Sequence, residues 1–197
     1  MENTTKNLVV LGAGTAGTMV ANKLRKRLPD SEWTITVVAK DDIHDYQPGY
    51  LFIPFGMNTP QQIRRSSRQF LSPDLTVVMA EVERVDAEAN TVHLEGGREL
   101  PFDQLVIATG TTPRPDQTPG TEGPEFHKSV GEFYTFEGAI ALKKQLDAWT
   151  GGRLVIHITE MPIKCPVAPL EFAFLVDAAL RKQIGRASCR ERVLRLV

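Results

Sequence analysis

The sequence is poor in the features that mark disulfide-stapled, membrane-spanning or nucleic-acid-binding chains. Only 2 of its 197 residues are cysteine, Cys165 and Cys189, too few for a disulfide framework. No apolar run approaches the ~18 residues that a membrane span needs. Glycine (15) and proline (13) are scattered, which excludes collagen-like and disordered chains. Charge of neither sign dominates: 23 Lys and Arg stand against 24 Asp and Glu, a net charge of -1, so no nucleic-acid partner is expected. His44, His93, His127 and His157 lack metal-ligand spacing, so no metal is expected and each histidine is read as structural or exposed. The start, Met1 to Asn7, is polar, which predicts no signal peptide and a cytoplasmic location. What remains is a globular composition, 42% hydrophobic and 24% charged, sized for one domain or one and a part.

The end of the chain reads differently from the rest. Ile184 to Val193, IGRASCRERV, is what one frame of a common sequencing-library adapter encodes, so residues 184–197 are expected to be a non-native tail. Without its four arginines and one glutamate the net charge falls to about -4. Cys165 is then the one native cysteine, and the native chain is expected to continue beyond Gln183.

The opening carries the strongest local pattern. Asn7 to Leu11 is an apolar strand that runs into Gly12-Ala13-Gly14-Thr15-Ala16-Gly17, followed by Ala16, Val20, Leu24 and Leu28 at helical steps. Pro29-Asp30-Ser31 ends that helix, and Thr34 to Ala39 is a second buried strand rich in β-branched residues. This βαβ context turns a weak glycine fingerprint into a strong dinucleotide-binding signal. Gly12 permits the tight turn, Gly14 admits a pyrophosphate close to the backbone, and Gly17 lets helix and strand approach. The helix N-terminus offers unsatisfied N–H groups to the phosphates. The acidic residue that normally binds the ribose is replaced by Ala39, with Lys40, Asp41 and Asp42 next; Asp41 or Asp42 reaches the ribose, or both are solvated turn residues.

Further along, Thr76 to Leu94 alternates through Val77, Met79, Val82, Val85, Val92 and Leu94 and predicts a small antiparallel meander. Gln104 to Thr109 is read as a buried strand ending in Ala108-Thr109-Gly110, followed by a Pro- and Gly-rich crossover to Gly131. Phe136 to Trp149 is helical. Thr150-Gly151-Gly152 stops it, and the strand Leu154 to Ile158 opens a second domain. A helix from about Ala168 to Gln183 follows, with Leu170, Phe174, Leu175 and Ala178 on its apolar face. Cys165-Pro166-Val167-Ala168-Pro169 stands where this second strand-loop-helix unit would carry glycines. The expected fold class is α/β: a Rossmann-like three-layer dinucleotide-binding domain over 1–150 with an antiparallel meander, and the first βα unit of a second such domain over 151–183.

Two segments, LVVLGAGTAGTMVANKL and LVIATGTTPR, resemble the two FAD-binding motifs of the flavoproteins that carry two dinucleotide-binding domains. Two more narrow the resemblance to the sulfide:quinone oxidoreductases and the flavoprotein subunits of sulfide dehydrogenases: YQPGYLFIPFG, Tyr46 to Gly56, and KCPVAPLEFAFLVDAALRK, Lys164 to Lys182. The resemblance runs from Asn7 to Gln183, less than half of a full-length relative, so the 197-residue chain by itself is expected to be inactive and to bind FAD poorly. It implies FAD, held through Gly12, Ala13, Gly14, Thr15, Ala16, Gly17, Ala39, Lys40, Val82, Ala108, Thr109 and Gly110, and it makes Cys165 the catalytic residue. It further implies sulfide as substrate, quinone as electron acceptor, peripheral contact with the inner or plasma membrane in the full-length protein, and homo-oligomer formation. A second cysteine far downstream would pair with Cys165; the additional cysteine that some relatives carry upstream is absent from Val130 to Phe136.

Absences separate the near relatives. Asp41 to Phe70 has no cysteine, unlike the disulfide reductases. Thr159 to Cys165 has no glycine, unlike type II NADH dehydrogenases, whose second fingerprint holds NADH. A small sulfur donor at Cys165 fits better. Lys164 and the following helix N-terminus both favour a thiolate there. A sulfide dehydrogenase subunit, a type II NADH:quinone oxidoreductase and a non-enzymatic nucleotide-binding redox sensor are the competing readings. Arg64, Arg65 and Arg68 meet a phosphate or lipid head, or form a solvated helix face. Tyr46, Pro48 and Tyr50 line a flavin or quinone, or pack between elements.

Overall fold

In the computed structural model residues 5–184 and 195–196 are described; most of the expected tail, 184–197, with Cys189, lies outside them. The elements in chain order are β1 (Lys6–Leu11), α1 (Thr15–Arg25), β2 (Trp33–Ala39), β3 (His44–Asp45), α2 (Pro60–Ile63), β4 (Arg64–Arg65), β5 (Thr76–Met79), β6 (Val82–Asp86), β7 (Thr91–Leu94), β8 (Arg98–Pro101), β9 (Gln104–Ile107), α3 (Phe136–Ala148), β10 (Val155–Ile156), α4 (Ala168–Ile184) and β11 (Arg195–Leu196). They fall into two compact units, Met1–Tyr46 with Arg64–Thr112, and Gln47–Ile63 with Pro113–Val197. The units thus interleave along the chain, and α3 falls in the second, with α4.

The first unit is built on a parallel sheet in the order β5-β2-β1-β9. Alternation along β1 sends its side chains to two cores. Leu8 and Val10, with Ile35 and Val37 of β2, pack with Ala13 and with Ala21 of α1. Val9 and Leu11, with Val38 and Val78, pack with Val92 and Leu94 of β7. Helix, parallel sheet and antiparallel sheet are therefore three layers. The three-stranded antiparallel sheet is β6-β7-β8.

Several expectations are corrected here. The meander does not start at Thr76: β5 joins the parallel sheet, pairing Thr36 with Thr76 through Ala39 with Met79, and β8 supplies the meander's third strand. Val78 lies beside Val38 in the core that the meander's Val92 and Leu94 share. β9 is not a buried strand. It is the sheet's edge, and Ile107 is 67% exposed. In α1 the buried residues are Gly17, Thr18 and Ala21, whereas Ala16 is exposed; Leu24 only flanks the core, and Leu28 lies beyond the helix end. The face turned inward is set by the close approach at Gly17 rather than by the largest apolar side chains.

The second unit has two cores. Leu142 and Leu146 of α3 pack with Leu51, Ile156 of β10, and Phe172, Val176 and Leu180 of α4. Tyr50, Ile53, Ile63 and Ala139 form the other. The α4 face is corrected: the buried stripe is Ala168, Phe172, Val176 and Leu180, and the expected residues Leu170 and Phe174 are exposed, Phe174 by 76%. Both stripes have four-residue spacing, so periodicity alone cannot choose between them. At the start of α3 Thr135 caps the helix by accepting from the Gly138 N–H at 3.0 Å. No helix among the described residues is long and apolar enough to cross a membrane.

Candidate functional site

The first part of the site is the turn between β1 and α1. Gly12 has φ +103, and a Cβ there would stand 2.3 Å from the Ala108 carbonyl oxygen. A Cβ on Gly17 would meet the Gly12 carbonyl oxygen at 1.9 Å. Both glycines are thus required by backbone packed against backbone. Gly14 differs: its φ is -74 and a Cβ there would meet nothing within 4 Å. The open side of the turn is at Gly14, where it caps α1 without a side-chain hydrogen bond and with no acidic residue in the first turn. Exposed Thr15 and Ala16 present the remaining early backbone of the helix. This cradle fits a pyrophosphate: room without a side chain, free N–H groups and no competing carboxylate.

The structure brings Ala108 and Thr109 to the same turn, since the Ala108 N–H donates to Leu11 at 2.8 Å and a Gly12 Cβ would lie 3.2 Å from the Thr109 Cα. Thr109 and Gly110 are exposed, with Gly110 at φ +76. Ala39 ends β2 buried, its carbonyl taken by the Ala80 N–H at 2.9 Å, while Lys40 is exposed. Val82 is partly buried against the core shared with β7. His44 holds the turn from behind: Nδ1–H donates to the Ala13 carbonyl at 2.9 Å and the ring lies 4.4 Å from that of Phe70. Sequence spacing gives no sign of that contact, because 31 residues separate its partners.

The two acidic candidates for the ribose are both engaged elsewhere. Asp41 accepts from the Ile43 N–H at 3.0 Å, a local turn. Asp42 accepts from Ser66 Oγ at 2.6 Å, Ser67 Oγ at 2.7 Å and the Arg68 N–H at 3.2 Å. Those bonds, Ser66 first and then Ser67, hold the Asp42 carboxyl below the usual carboxylate range. Because its pKa is depressed in the folded chain, the tie is complete above the ordinary carboxylate value and is lost as pH falls through the lowered one. Hydrogen exchange at the Arg68 amide is expected to accelerate on that acid limb, and Asp42→Asn is expected to accelerate it at neutral pH. Arg64 is also committed, forming two hydrogen bonds to Asp45 at 2.9 and 2.8 Å.

Cys165 lies in the second unit, exposed, three residues before α4, in left-handed backbone with φ +56. Its carbonyl accepts from the Ala168 N–H at 3.0 Å, which fixes the loop to the first turn of the helix. The Lys164 ammonium donates to Gln47 Oε1. Glu171 sits in the first turn of α4, a favourable place for a carboxylate. Tyr50 is buried with its ring 6.1 Å from that of Phe136, whereas Tyr46 is 57% exposed. No group of three or more potential metal ligands occurs among the described residues.

A parallel sheet with a glycine cradle at a strand-to-helix turn, layered between a helix and an antiparallel sheet, defines a dinucleotide-binding protein of the flavoprotein type. Residues 6–156 match the pyridine nucleotide-disulphide oxidoreductase family, and the chain belongs to it. Members of this family bind FAD. Over 183 residues the chain is 25% identical to the mitochondrial sulfide:quinone oxidoreductase of Dictyostelium discoideum, covering 92% of this chain and 40% of the relative. It is 27% identical to the sulfide-quinone reductase of Aquifex aeolicus, covering 90% and 40%. The solved structure of the Aquifex aeolicus sulfide:quinone oxidoreductase superposes with a TM-score of 0.76 at 26% identity, covering 91% of this chain and 40% of that one. A type II NADH:quinone oxidoreductase of Staphylococcus aureus is 32% identical over 124 residues, 62% of this chain and 30% of the relative. The chain thus spans 40% of the length of the first two relatives.

Proposed function

We propose that the chain is the FAD-binding portion, with one redox cysteine, of an enzyme that oxidises sulfide and passes the electrons to quinone. The observation that carries this reading is Cys165: an exposed thiol in left-handed backbone, at the loop where a nicotinamide-binding unit would need glycines. The relatives named sulfide:quinone oxidoreductase and sulfide-quinone reductase support the same substrates. Residues 1–150 are assigned to the FAD-binding domain and 151–183 to the start of a second dinucleotide-binding-like domain.

When bound, FAD supplies two-electron acceptance from sulfur and delivery to a quinone. The chain's own residues do the rest. Gly12 and Gly17 shape the turn, and Gly14, Thr15 and Ala16 present N–H groups to the pyrophosphate. Ala13 continues that turn under the hold of His44. Ala39 and Lys40 border the ribose, Lys40 offering a cation in place of the usual acid, and Val82, Ala108, Thr109 and Gly110 border the rest of the cofactor. Cys165 would take the sulfide sulfur as a persulfide, and the two electrons released in forming that S–S bond would go to the bound flavin. Peripheral membrane contact and homo-oligomer formation belong to the same reading of the complete enzyme.

The type II NADH:quinone oxidoreductase relative supports a second reading, with NADH as donor. The two separate in one experiment: the flavin absorbance of the enzyme of which this chain is a portion is followed anaerobically on addition of sulfide or of NADH. Bleaching by sulfide, lost on alkylation of Cys165, is the expected result. Bleaching by NADH and not by sulfide would overturn the proposal.

A further inference from the structure

Within the β1–α1 turn the Ala13 carbonyl accepts from a side chain far away in sequence: His44 Nδ1–H donates to it at 2.9 Å. Ala13 is buried, so water is a poor substitute for that donor. The same peptide group carries the Gly14 N–H. The bond is trans, and in a trans peptide C=O and N–H point in opposite directions. Whatever fixes the Ala13 oxygen therefore fixes the direction of the Gly14 hydrogen as well. That hydrogen has no partner among the described residues, and the space beside Gly14 is open, with nothing within 4 Å of a Cβ placed there.

His44 is itself held from two sides. Its strand β3 pairs with β4, His44 opposite Arg65 and Asp45 opposite Arg64, and Arg64 grips Asp45 with hydrogen bonds at 2.9 and 2.8 Å. Its ring lies against that of Phe70, with centroids 4.4 Å apart at 34°. Phe70 is in turn fastened to α1: Asn22 Nδ2 donates to the Phe70 carbonyl at 2.6 Å, and Asn22 Oδ1 accepts from the Ser72 N–H at 2.9 Å. The contacts close a circuit inside the first unit. Helix α1 carries Asn22, Asn22 holds Phe70, Phe70 backs His44, and His44 holds the peptide from which α1 starts. A circuit of this kind fixes a direction and not merely a distance, and direction is what a hydrogen bond to a phosphate oxygen demands.

We propose that His44 is a positioning residue for the pyrophosphate of FAD: by holding the Ala13 carbonyl it aims the Gly14 N–H before the cofactor arrives. The effect passes through one peptide plane, and His44 itself need not touch the cofactor. An N–H already aimed binds more tightly, because less of the turn has to be ordered on binding. The inference rests on the placement of the phosphates at this turn and is independent of whether sulfide or NADH supplies the electrons.

The test uses the enzyme of which this chain is a portion, stripped of FAD and titrated with it. His44→Phe keeps an aromatic ring against Phe70 and removes the donor. His44→Asn removes the ring and keeps an N–H near the place of Nδ1. FAD affinity is expected to fall roughly tenfold in His44→Phe, the worth of one hydrogen bond, and to return to within about threefold of the parent in His44→Asn. The phosphorus NMR resonances of bound FAD are expected to move in His44→Phe and to return in His44→Asn. A role in packing alone gives the reverse order, because phenylalanine preserves the ring contact that asparagine gives up. A further measurement needs no variant: the ring nitrogen NMR shifts of His44 in the parent are expected to show a proton on Nδ1.

Parental FAD affinity in His44→Phe, an affinity in His44→Asn no higher than in His44→Phe, or an Nδ1 without a proton would each overturn the proposal. Gly14→Ala tells this failure from that of the phosphate placement. If Gly14→Ala weakens FAD binding while His44→Phe does not, the cradle stands and only the role of His44 falls. If neither substitution weakens it, the phosphates lie elsewhere and both fall.

Discussion

Gly17→Ala is expected to lose the first unit's fold, whereas Gly14→Ala is expected to keep it and lose cofactor. A Cβ on Gly17 would stand 1.9 Å from the Gly12 carbonyl oxygen, backbone that is itself pressed against Ala108 and cannot retreat. The cost is about 3 kcal/mol, at the upper end for overpacking, and a large fraction of a domain's stability. At Gly14 the backbone is in a region any residue adopts and a Cβ would meet nothing within 4 Å. Stability there should change by less than about 0.5 kcal/mol, while FAD affinity falls roughly tenfold or more, about 1.4 kcal/mol, because the methyl occupies the side from which the pyrophosphate approaches. Chemical denaturation and FAD titration of both variants measure the contrast. A Gly14→Ala protein that binds FAD as the parent does would mean that the phosphates lie elsewhere.

Cys165→Ser is expected to be the mirror image: native stability and FAD binding, with sulfide-dependent flavin reduction down roughly a thousandfold or more, as for loss of a nucleophile. The side chain is exposed and its thiol makes no hydrogen bond that the fold needs, so the stability change should stay within about 0.5 kcal/mol. Serine preserves size and hydrogen bonding but offers an oxygen that neither forms a persulfide nor ionises at neutral pH. Stopped-flow absorbance of the enzyme of which this chain is a portion reads the rate with sulfide. A serine variant reduced at the parent rate would remove Cys165 from the chemistry.

The part of this site legible in the sequence is the part made by neighbours along the chain. Gly12, Gly14 and Gly17 are read correctly because a strand, a turn and a helix of fixed geometry follow one another within a few residues. Elements whose role depends on a distant partner are read less well. The alternation from Thr76 to Leu94 is continuous in sequence, yet β5 belongs to the parallel sheet, because β2 offers it a free edge. Likewise Leu170 and Phe174 have the spacing of a buried stripe, but the neighbours of α4 choose the stripe on the opposite side of the helix. Asp42 resembles a ribose ligand by position and is claimed by Ser66, Ser67 and Arg68, over 20 residues downstream.

The left-handed backbone at Cys165 sets protein stability against activity at a single position. A side chain there costs about 1 kcal/mol relative to glycine, which adopts φ +56 freely. Glycine at 165 would therefore give a more durable protein that does no chemistry, so selection for thermal resilience alone would drift away from the cysteine. The residue's presence is paid for in stability, and its replacement in a thermostabilised variant would be the sign that only durability had been selected.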